Sequence, residues 1–237
     1  MGQPFFRFKQ FTVFHDKCAM KVGIDGVLLG AWCEVKNIEC ALDVGTGSGL
    51  IALMVAQRSN AEIDAIDIDE NALVQSKLNF SDSPWAQRLN AIRKPLQEFS
   101  QVCEKKYDLI VSNPPYFIDS LKAPDLQRSV ARHADSLSHS ELLENAIPLL
   151  NKTGRICLIL PVNEGIKCTE IANKLGLNCD KQVMVYPKPE AASKRLLLQF
   201  SFSKLETMKS GITIETENRH VYTDEFSELL KDFYLKL

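Results

Sequence analysis

The chain has 237 residues, of which 45% are hydrophobic, and its formal net charge is −2 at pH 7. This composition is ordinary for a globular protein and excludes a general nucleic-acid coat protein, which would carry a large positive charge. No apolar run approaches the ~20 residues of a membrane-spanning helix, and the first residues lack the apolar core of a secretory signal, so we expect a cytoplasmic protein. The seven cysteines are scattered and form no C-x-x-C pair, which argues against a disulfide framework and against a metal site.

The chain divides into an N-terminal extension and a core. Residues 1–37 have the character of loop and strand, whereas residues 38–237 contain the alternating elements described below. No repeat, low-complexity tract or linker interrupts the chain. We therefore expect a single domain, with the extension lying over the cofactor and substrate site.

Short apolar segments alternate with amphipathic ones along the first part of the core. The apolar segments predict buried strands, and the amphipathic segments predict helices. Near-continuous apolar strands that alternate with helices are typical of an α/β fold, in which a parallel sheet is covered on both faces. The predicted strands are residues 40–45, 62–67, 90–93, 107–112 and 154–160, and the predicted helices are residues 49–58, 70–80, 138–150 and 163–174.

Two more strands are predicted after the last of these helices. They cover residues 182–186 and 195–203, and no helix fits between them. Strands joined by so short a connection should pair antiparallel, as a terminal hairpin.

A glycine-rich turn, residues 43–49, joins the first buried strand to its helix. Ligands of a doubly wound sheet bind at the carboxyl ends of the strands, where glycines let them approach the backbone. Leu50 stands where the dinucleotide fingerprint requires glycine, so the turn does not fit a diphosphate. The carboxylate of Asp43 would repel a diphosphate but attract a cationic sulfonium or ammonium group. The residues of this turn that we assign to the cofactor site are Asp43, Gly45, Thr46, Gly47 and Gly49.

The second predicted strand ends at an acidic residue, Asp67. A carboxylate at this place can accept hydrogen bonds from both ribose hydroxyls of a nucleoside. Asp69 takes this role if the strand ends later, and Ile68 between them is assigned to the same site. An adenosine linked to a positively charged tail fits such a pocket, which indicates S-adenosylmethionine and not NAD.

The fourth predicted strand leads into the segment Asn113-Pro114-Pro115-Tyr116. Because proline fixes φ, donates no N–H and keeps the preceding residue extended, this loop should be a rigid turn. It would present the Asn113 side-chain oxygen and the Pro114 carbonyl to the two hydrogens of an exocyclic or amide NH₂, beside the cofactor. The rings of Tyr116 and Phe117 could stack on a planar base. We predict that Asn113, Pro114, Pro115 and Tyr116 are the catalytic residues and that Asn113 also contacts the cofactor.

Two basic clusters are candidate RNA contacts. Lys188, Lys194 and Arg195 lie in a stretch, residues 181–204, that holds five cations and one anion. Arg7 and Lys9 make the N-terminus locally basic as well. Such clusters are usually solvated faces, but on a near-neutral enzyme they would also suit RNA phosphates.

The glycine turn and the Asn113 motif together resemble class I methyltransferases that act on adenine N6 or glutamine N5. Over nearly the whole chain, the sequence is similar to the tRNA(Val) adenine-37 N6-methyltransferases. The resemblance implies a Rossmann-like, mostly parallel seven-stranded sheet with a reversed last strand, S-adenosylmethionine as methyl donor, and a tRNA partner methylated on an adenine beside the anticodon. The segments that carry it are residues 11–14, 20–32, 43–49, 113–117, 132–133, 186–189 and 194–195.

The sequence departs from the family pattern at two places. Ile24 stands where such families usually have threonine, which weakens any hydrogen bond assigned to that position. Class I enzymes also often carry an acidic residue after the third strand to bind the cofactor adenine. Here that stretch is residues 93–96, without an acid, so adenine recognition would fall on the backbone near Leu96.

The expected mechanism is direct transfer, in which a flipped adenine enters a pocket closed by Tyr116 and the N-terminal segment. Its N6 would attack the sulfonium methyl without a side-chain base, and we assign Arg132 and His133 to RNA contacts. We expect a monomer or weak dimer that needs no metal. Three alternatives stay open: a protein glutamine N5-methyltransferase, a non-catalytic RNA-binding protein on this fold, and a small-molecule methyltransferase. The short N-terminal extension argues against the first alternative, and the intact Asn113 motif argues against the second. The cations together with the stacking aromatic residues argue against the third.

Overall fold

The computed structural model of the chain describes residues 3–18, 20–114 and 137–236. Within these ranges, two short strands form a separate antiparallel hairpin near the N-terminus, and eight strands form one central sheet. The strands are β1 (Phe5–Arg7), β2 (Thr12–Phe14), β3 (Cys40–Val44), β4 (Glu62–Asp67), β5 (Leu89–Arg93), β6 (Tyr107–Ser112), β7 (Leu150–Pro161), β8 (Asn178–Tyr186), β9 (Arg195–Ser201) and β10 (Met208–Thr213).

Helices cover both faces of the central sheet. One apolar core contains buried residues of the first two helices and of the last helix, together with Phe80 of the third helix. A second core contains buried residues of the fourth, fifth and sixth helices. In the described residues the helices are α1 (Ile24–Trp32), α2 (Leu50–Arg58), α3 (Glu70–Ser81), α4 (Leu96–Val102), α5 (His139–Ala146), α6 (Val162–Lys174) and α7 (Asp224–Leu230). None of these helices combines the length and apolar character needed to span a bilayer.

The sheet order is β10-β8-β9-β7-β6-β3-β4-β5. Strands β3 to β7 are mutually parallel, as predicted, and β8 pairs antiparallel with β9 as the predicted hairpin. Strand β9 lies between β7 and β8 and runs antiparallel to both. It is therefore the reversed strand that the family resemblance implies, and the predicted α/β fold class is confirmed.

The strand count is the first correction. The sheet has eight strands instead of seven because β10 adds to the outer edge of β8, in parallel register. Its sequence, Met-Lys-Ser-Gly-Ile-Thr, has no apolar alternation, and Ile212 is its one buried residue. An edge strand of this kind carries little of the pattern from which strands are predicted.

The N-terminal extension is the second correction. It was expected to contain loop and strand, but it also contains helix α1. Gly26 and Gly30 lie in this helix and gave it a poor helix propensity. Their lack of side chains has a packing reason, because a Cβ on Gly30 would lie 2.7 Å from Sδ of Met54 in α2. The two helices therefore pack more closely than larger residues would permit.

Helix α4 was not predicted, and the element before β7 also differs from its prediction. The expected helix over residues 138–150 ends at Ala146, is followed by one turn of 3₁₀-helix (Ile147–Leu149), and gives way to β7 at Leu150. Pro148 lies in this turn, and proline interrupts the hydrogen bonding of an α-helix.

Candidate functional site

A cavity of about 810 Å³ opens at the carboxyl ends of the parallel strands. Its wall is formed by residues that follow β3, β4, β5 and β6, together with parts of the N-terminal segment and of α5. Most of the lining comes from loops, because the strands themselves end below it. The lining residues are Cys18, Met20, Val44, Gly45, Gly47, Ile66, Asp67, Ile68, Asp69, Ala72, Arg93, Lys94, Pro95, Leu96, Gln97, Ser112, Asn113, Pro114, Leu137 and Glu141.

The glycine turn forms the floor of this cavity at the end of β3. Gly47 has φ of +55°, and a Cβ built on it would meet no atom within 4 Å. Gly49 has φ of +83°, but a Cβ there would overlap the ring of Phe80 in α3. Gly47 is therefore needed for an open cavity floor, whereas Gly49 is needed for packing beneath it.

Asp43 lies behind the glycine turn and not on the cavity wall. Its side chain is fully buried, and its Oδ2 accepts hydrogen bonds from Oγ1 of Thr46 at 2.6 Å and from the backbone N–H of Ala52 at 3.2 Å. No described residue donates a hydrogen bond to Oδ1. Burial raises the pKa of this carboxyl to about 7, against the opposing effect of the two hydrogen bonds. Asp43 and Thr46 thus hold the shape of the turn from inside.

Asp67 lies on the cavity wall at the end of β4, where the sequence predicted it. One carboxylate oxygen accepts the N–H of Gly47 at 2.8 Å, and the other accepts the N–H of Asp69 at 2.9 Å. Each oxygen keeps a further lone pair for a ligand. The side chain of Asp69 accepts the N–H of Asn71 at 2.8 Å and caps α3. Asp67 is therefore the better placed of the two carboxylates for a cavity ligand.

The far end of the cavity, after β5, is apolar on two sides. Ile68 is 52% exposed and Leu96 is buried, and both line the cavity. Between them, the backbone N–H of Lys94 donates to the carbonyl of Asp67 at 3.1 Å and ties the ends of β4 and β5 together. A flat aromatic ligand group could enter between these side chains.

The other end of the cavity is formed by Asn113 and Pro114, directly after β6. The last paired residues of the two neighbouring strands are Val44 of β3 and Ser112 of β6. Oγ of Ser112 also donates to the carbonyl of Val44 at 2.8 Å. Asn113 is therefore held one strand away from the glycine turn, as the sequence predicted. Five further residues predicted to act here or on RNA lie outside the described residues: Pro115, Tyr116, Phe117, Arg132 and His133.

The N-terminal segment reaches the rim of the cavity through Cys18 and Met20, which the sequence reasoning did not single out. Met20 is 65% exposed, and Cys18 is half-buried. Burial and the nearby carboxylates of Asp67 and Asp69 raise the pKa of the Cys18 thiol to about 11. The one indication in the sequence that Cys18 and Met20 would lie here was the expectation that the N-terminal extension covers the site.

The cations of the β8–β9 hairpin lie at the same edge of the sheet as the cavity, since β8 ends and β9 begins there. Lys194 is exposed. Arg195 pairs with Asp25 at the start of α1, with 2.9 Å between Nε and Oδ2. Lys188 lies 4.0 Å from Glu215. Both paired cations are thus partly neutralised in this structure.

Arg7 and Lys9 are not brought to the cavity. The backbone N–H of Lys9 donates to the carbonyl of Phe233 at 2.8 Å, and its ammonium contacts the carbonyl of Lys231. Gln57, in the last turn of α2, bonds the adjacent carbonyl of Asp232. Helix α2 begins at the glycine turn and ends near the start of β4, so this region is at the opposite, amino edge of the sheet. The two basic clusters therefore do not form one surface.

In the described ranges, no group of three or more His, Cys, Asp or Glu side chains is arranged to hold a metal ion. All seven cysteines are free thiols, and four of them are buried.

Comparisons with known proteins agree with this architecture. Residues 27–179 match the methyltransferase small domain family. A predicted O-methyltransferase from Agrobacterium tumefaciens superposes with a TM-score of 0.70 over 88% of this chain and 96% of its own, at 14% identity. A ribosomal protein L11 methylase from Lactobacillus delbrueckii superposes with a TM-score of 0.53 over 74% and 75%, at 18% identity. At these identities the two structures support the fold alone.

Much nearer relatives are found by sequence. A tRNA1(Val) (adenine(37)-N6)-methyltransferase from Parabacteroides distasonis is 50% identical over the full length of both chains. Proteins of the same name from Trichodesmium erythraeum and Bacteroides fragilis are each 47% identical, again over 100% of both chains. The resemblance inferred from the motifs is confirmed, and the chain belongs to the family of the tRNA1(Val) (adenine(37)-N6)-methyltransferases.

Proposed function

We propose that this protein transfers a methyl group from S-adenosylmethionine to N6 of an adenine in tRNA, at adenine 37 of tRNA(Val) as in its named relatives. The observation that carries the proposal is the register of β3 and β6. Their last paired residues, Val44 and Ser112, are followed directly by Gly45 and Asn113. A turn suited to a cofactor and a motif suited to an amine are therefore neighbours at one edge of the sheet.

The strand order supports a linear arrangement of subsites along the cavity. Going outward from β6, the ends of the strands carry Asn113, then the glycine turn, then Asp67, then residues 93–97. This sequence of groups matches an acceptor amine, an amino-acid tail, a ribose and an adenine. Each subsite thus has its own strand end.

The described residues fit S-adenosylmethionine. Gly47 leaves open space where a side chain would stand, Asp67 has free lone pairs for ribose hydroxyls, and Ile68 with Leu96 borders a slot for the adenine. When bound there, the cofactor would supply an electrophilic methyl group on a cationic sulfur. The buried Asp43 lies close behind the turn and favours positive charge in front of it when ionised. It does so from behind the turn, not by direct contact.

Asn113 and Pro114 would hold the acceptor. The residue before a proline stays extended, and Pro114 itself is buried, so this part of the loop is stiff. The side-chain oxygen of Asn113 and the carbonyl of Pro114 can each accept one hydrogen of an NH₂ group, and this aims the nitrogen lone pair into the cavity. Because the nitrogen gains positive charge during transfer, these acceptors would stabilise the transition state more than the bound substrate.

The hairpin cations suit the phosphates around a flipped base. A base must leave its stack to enter a cavity of this depth, and the flanking backbone then lies on the rim. Lys194 is exposed at this rim, while Lys188 and Arg195 could exchange their present carboxylate partners for phosphate. Arg7 and Lys9, at the amino edge, would serve RNA only if the substrate reached around the protein. We therefore assign the contact to the hairpin.

The test is methyl transfer to a tRNA(Val) transcript by the wild type and by Asn113→Ala. We expect the variant to lose orders of magnitude in turnover of bound tRNA, while its affinity for S-adenosylhomocysteine changes little. Asn60→Ala, at an exposed asparagine on the opposite edge, is the matched control and should retain wild-type turnover. A transcript with guanine at position 37 should accept no methyl group.

Two results would contradict the proposal. Wild-type turnover by Asn113→Ala would remove the acceptor site from this motif. Methylation of a protein glutamine, with tRNA left unmodified, would instead make the chain a glutamine N5-methyltransferase.

A further inference from the structure

The adenine end of the cavity lacks the carboxylate that the sequence comparison led us to look for. After β5 the wall consists of Arg93, Lys94, Pro95, Leu96 and Gln97, none of which is acidic. Pro95 also has no N–H to offer a ligand. The backbone N–H of Leu96, in the first turn of α4, can donate to a ring nitrogen of an adenine, as the sequence predicted, but the N6 amine needs an acceptor, which a side chain on this wall would supply.

Gln97 is the side chain on this wall that can both donate and accept hydrogen bonds, whereas the ammonium of Lys94 can only donate. It is half-buried, lines the cavity from the first turn of α4, and its amide makes no hydrogen bond to any described residue. Its backbone is fixed, since its carbonyl accepts Oγ of Ser100 at 3.1 Å. The neighbouring Arg93 is engaged with Glu70 at 3.0 Å. An amide that lines the cavity beside the apolar slot, with no partner among the described residues, is available to a polar group of a ligand that enters the slot.

We propose that Gln97 is a specificity-determining residue that reads the Watson–Crick edge of the cofactor adenine. An amide carries one acceptor and one donor, which match the N6 amine and the N1 lone pair of adenine as a pair of hydrogen bonds. Glutamine and asparagine pair with adenine edges in a comparable two-bond manner in nucleic-acid recognition. A carboxylate, by contrast, can accept from N6 but cannot donate to N1. The inference rests on the proposed function, because it requires S-adenosylmethionine in this cavity.

Glu141 is the competing group on the opposite wall. It belongs to α5, which packs beside α4, and it also lines the cavity. Its Oε2 already accepts both the backbone N–H and the hydroxyl of Ser138, at 2.9 and 2.6 Å, in the capping box that begins α5. The capping box leaves Oε1 of Glu141 able to accept from an N6 amine, but a carboxylate has no hydrogen to donate to N1. Gln97 can make both hydrogen bonds.

The experiment measures two affinities by calorimetry for each variant. The ligands are S-adenosylhomocysteine and its analogue whose purine lacks the 6-amino group. We expect the wild type to prefer the adenine ligand by about tenfold, since the analogue leaves one hydrogen bond unmade. Gln97→Met keeps the length and packing of the side chain, so it should bind both ligands about equally.

Gln97→Glu separates the two hydrogen bonds. It keeps the acceptor for N6 and loses the donor for N1, so it should bind S-adenosylhomocysteine more weakly than the wild type but retain a preference for it. Gln101→Met, one turn further along α4 at an exposed position, is the matched control and should behave as the wild type. Unchanged thermal unfolding of each variant shows that the loss is local.

Each outcome decides one of the claims. If Gln97→Met keeps the wild-type preference, the inference about Gln97 is wrong while the proposed function stands. If Glu141→Gln loses that preference instead, Glu141 is the reading residue. If the wild type binds neither ligand, the proposed function fails and the role of Gln97 fails with it.

Discussion

The glycine turn allows packing and ligand binding to be separated by two substitutions that are chemically identical. Gly47 and Gly49 both have positive φ, and each would gain one methyl group on replacement by alanine. At Gly47 the added Cβ meets nothing within 4 Å and points into the cavity. At Gly49 it would overlap Cε1 of Phe80 and lie 3.0 Å from Cζ of the same ring. The two variants should therefore fail in different ways.

The expected magnitudes follow from these contacts. A non-glycine residue in the left-handed region costs about 1–2 kcal/mol, and both variants lose this amount of folding free energy. Gly49→Ala loses a further ~1–3 kcal/mol from overpacking, because the added Cβ overlaps the ring of Phe80, which is buried in the core. Gly47→Ala should thus be destabilised by about 1–2 kcal/mol and Gly49→Ala by about 2–5 kcal/mol.

Urea unfolding measures the first effect, and calorimetric titration with S-adenosylhomocysteine measures the second. We expect Gly47→Ala to fold and to bind the ligand at least tenfold more weakly, since its methyl group occupies the cavity floor. Gly49→Ala should unfold at clearly lower urea, and the fraction that stays folded should bind with a smaller loss. If Gly47→Ala proves to be the less stable of the two, or binds as the wild type does, the assignment of the cavity floor is wrong.

Three further predictions concern charged groups of the site. Asp67→Ala should weaken S-adenosylhomocysteine binding by about 1–3 kcal/mol in calorimetry. Asp69→Ala should instead lower only the stability of α3, by about 1 kcal/mol. The opposite result would assign the ribose contact to Asp69. The pKa of Asp43 is raised from 3.8 to about 7, so between these two pH values the folded state keeps this proton while the unfolded state loses it. The stability of the wild type relative to Asp43→Asn should therefore fall as the pH rises through this range. Urea unfolding across that range checks this, and a constant difference would show that the carboxyl titrates normally. Lys194→Ser should reduce the slope of log affinity for tRNA against log salt by about one, and Lys152→Ser, at an exposed lysine near the amino end of β7, is the control. Equal slopes for Lys194→Ser and the wild type would show that Lys194 is only a solvated surface residue.

The central part of the fold could be predicted because burial imposes a regular pattern on it. Strand β6, Tyr107–Ser112, is almost entirely buried, and such a strand must be apolar along its whole length. Strand β10 is an exposed edge with one buried residue, so its sequence is under little constraint. Helix α1 contains two glycines that serve packing against α2, and the same residues make it look unlike a helix. A helix or strand is therefore predicted well from local sequence only where the burial of that element determines which residues it can contain.

The site shows the same division. The glycine turn, Asp67 and Asn113 were identifiable because each is tied to the end of a predicted strand. Asp43 was expected to face the ligand, but the structure buries its side chain behind the turn. The sequence alone does not indicate whether a carboxylate at the end of a strand faces the cavity or the protein interior. The cations of the N-terminus and of the hairpin were grouped by type, but the path of residues 3–18 along α3 separates them by the full height of the sheet. Long-range placement of this kind leaves no local pattern.

The strand order also explains why the acceptor motif must follow β6. Neighbouring strands lie about 4.8 Å apart, so groups at the ends of β6 and β3 are within reach of one another, whereas β7 is about 10 Å from β3. An Asn-Pro motif at the end of β7 could not hold an amine against a group bound at the glycine turn. On the other side of β3, the ends of β4 and β5 lie about 5 and 10 Å away, a span that suits a ribose followed by an adenine. Under the proposed function, the separation of the strands would assign each part of the cofactor to one strand end, and residue 97, beyond β5, would be the position from which the adenine edge is recognised.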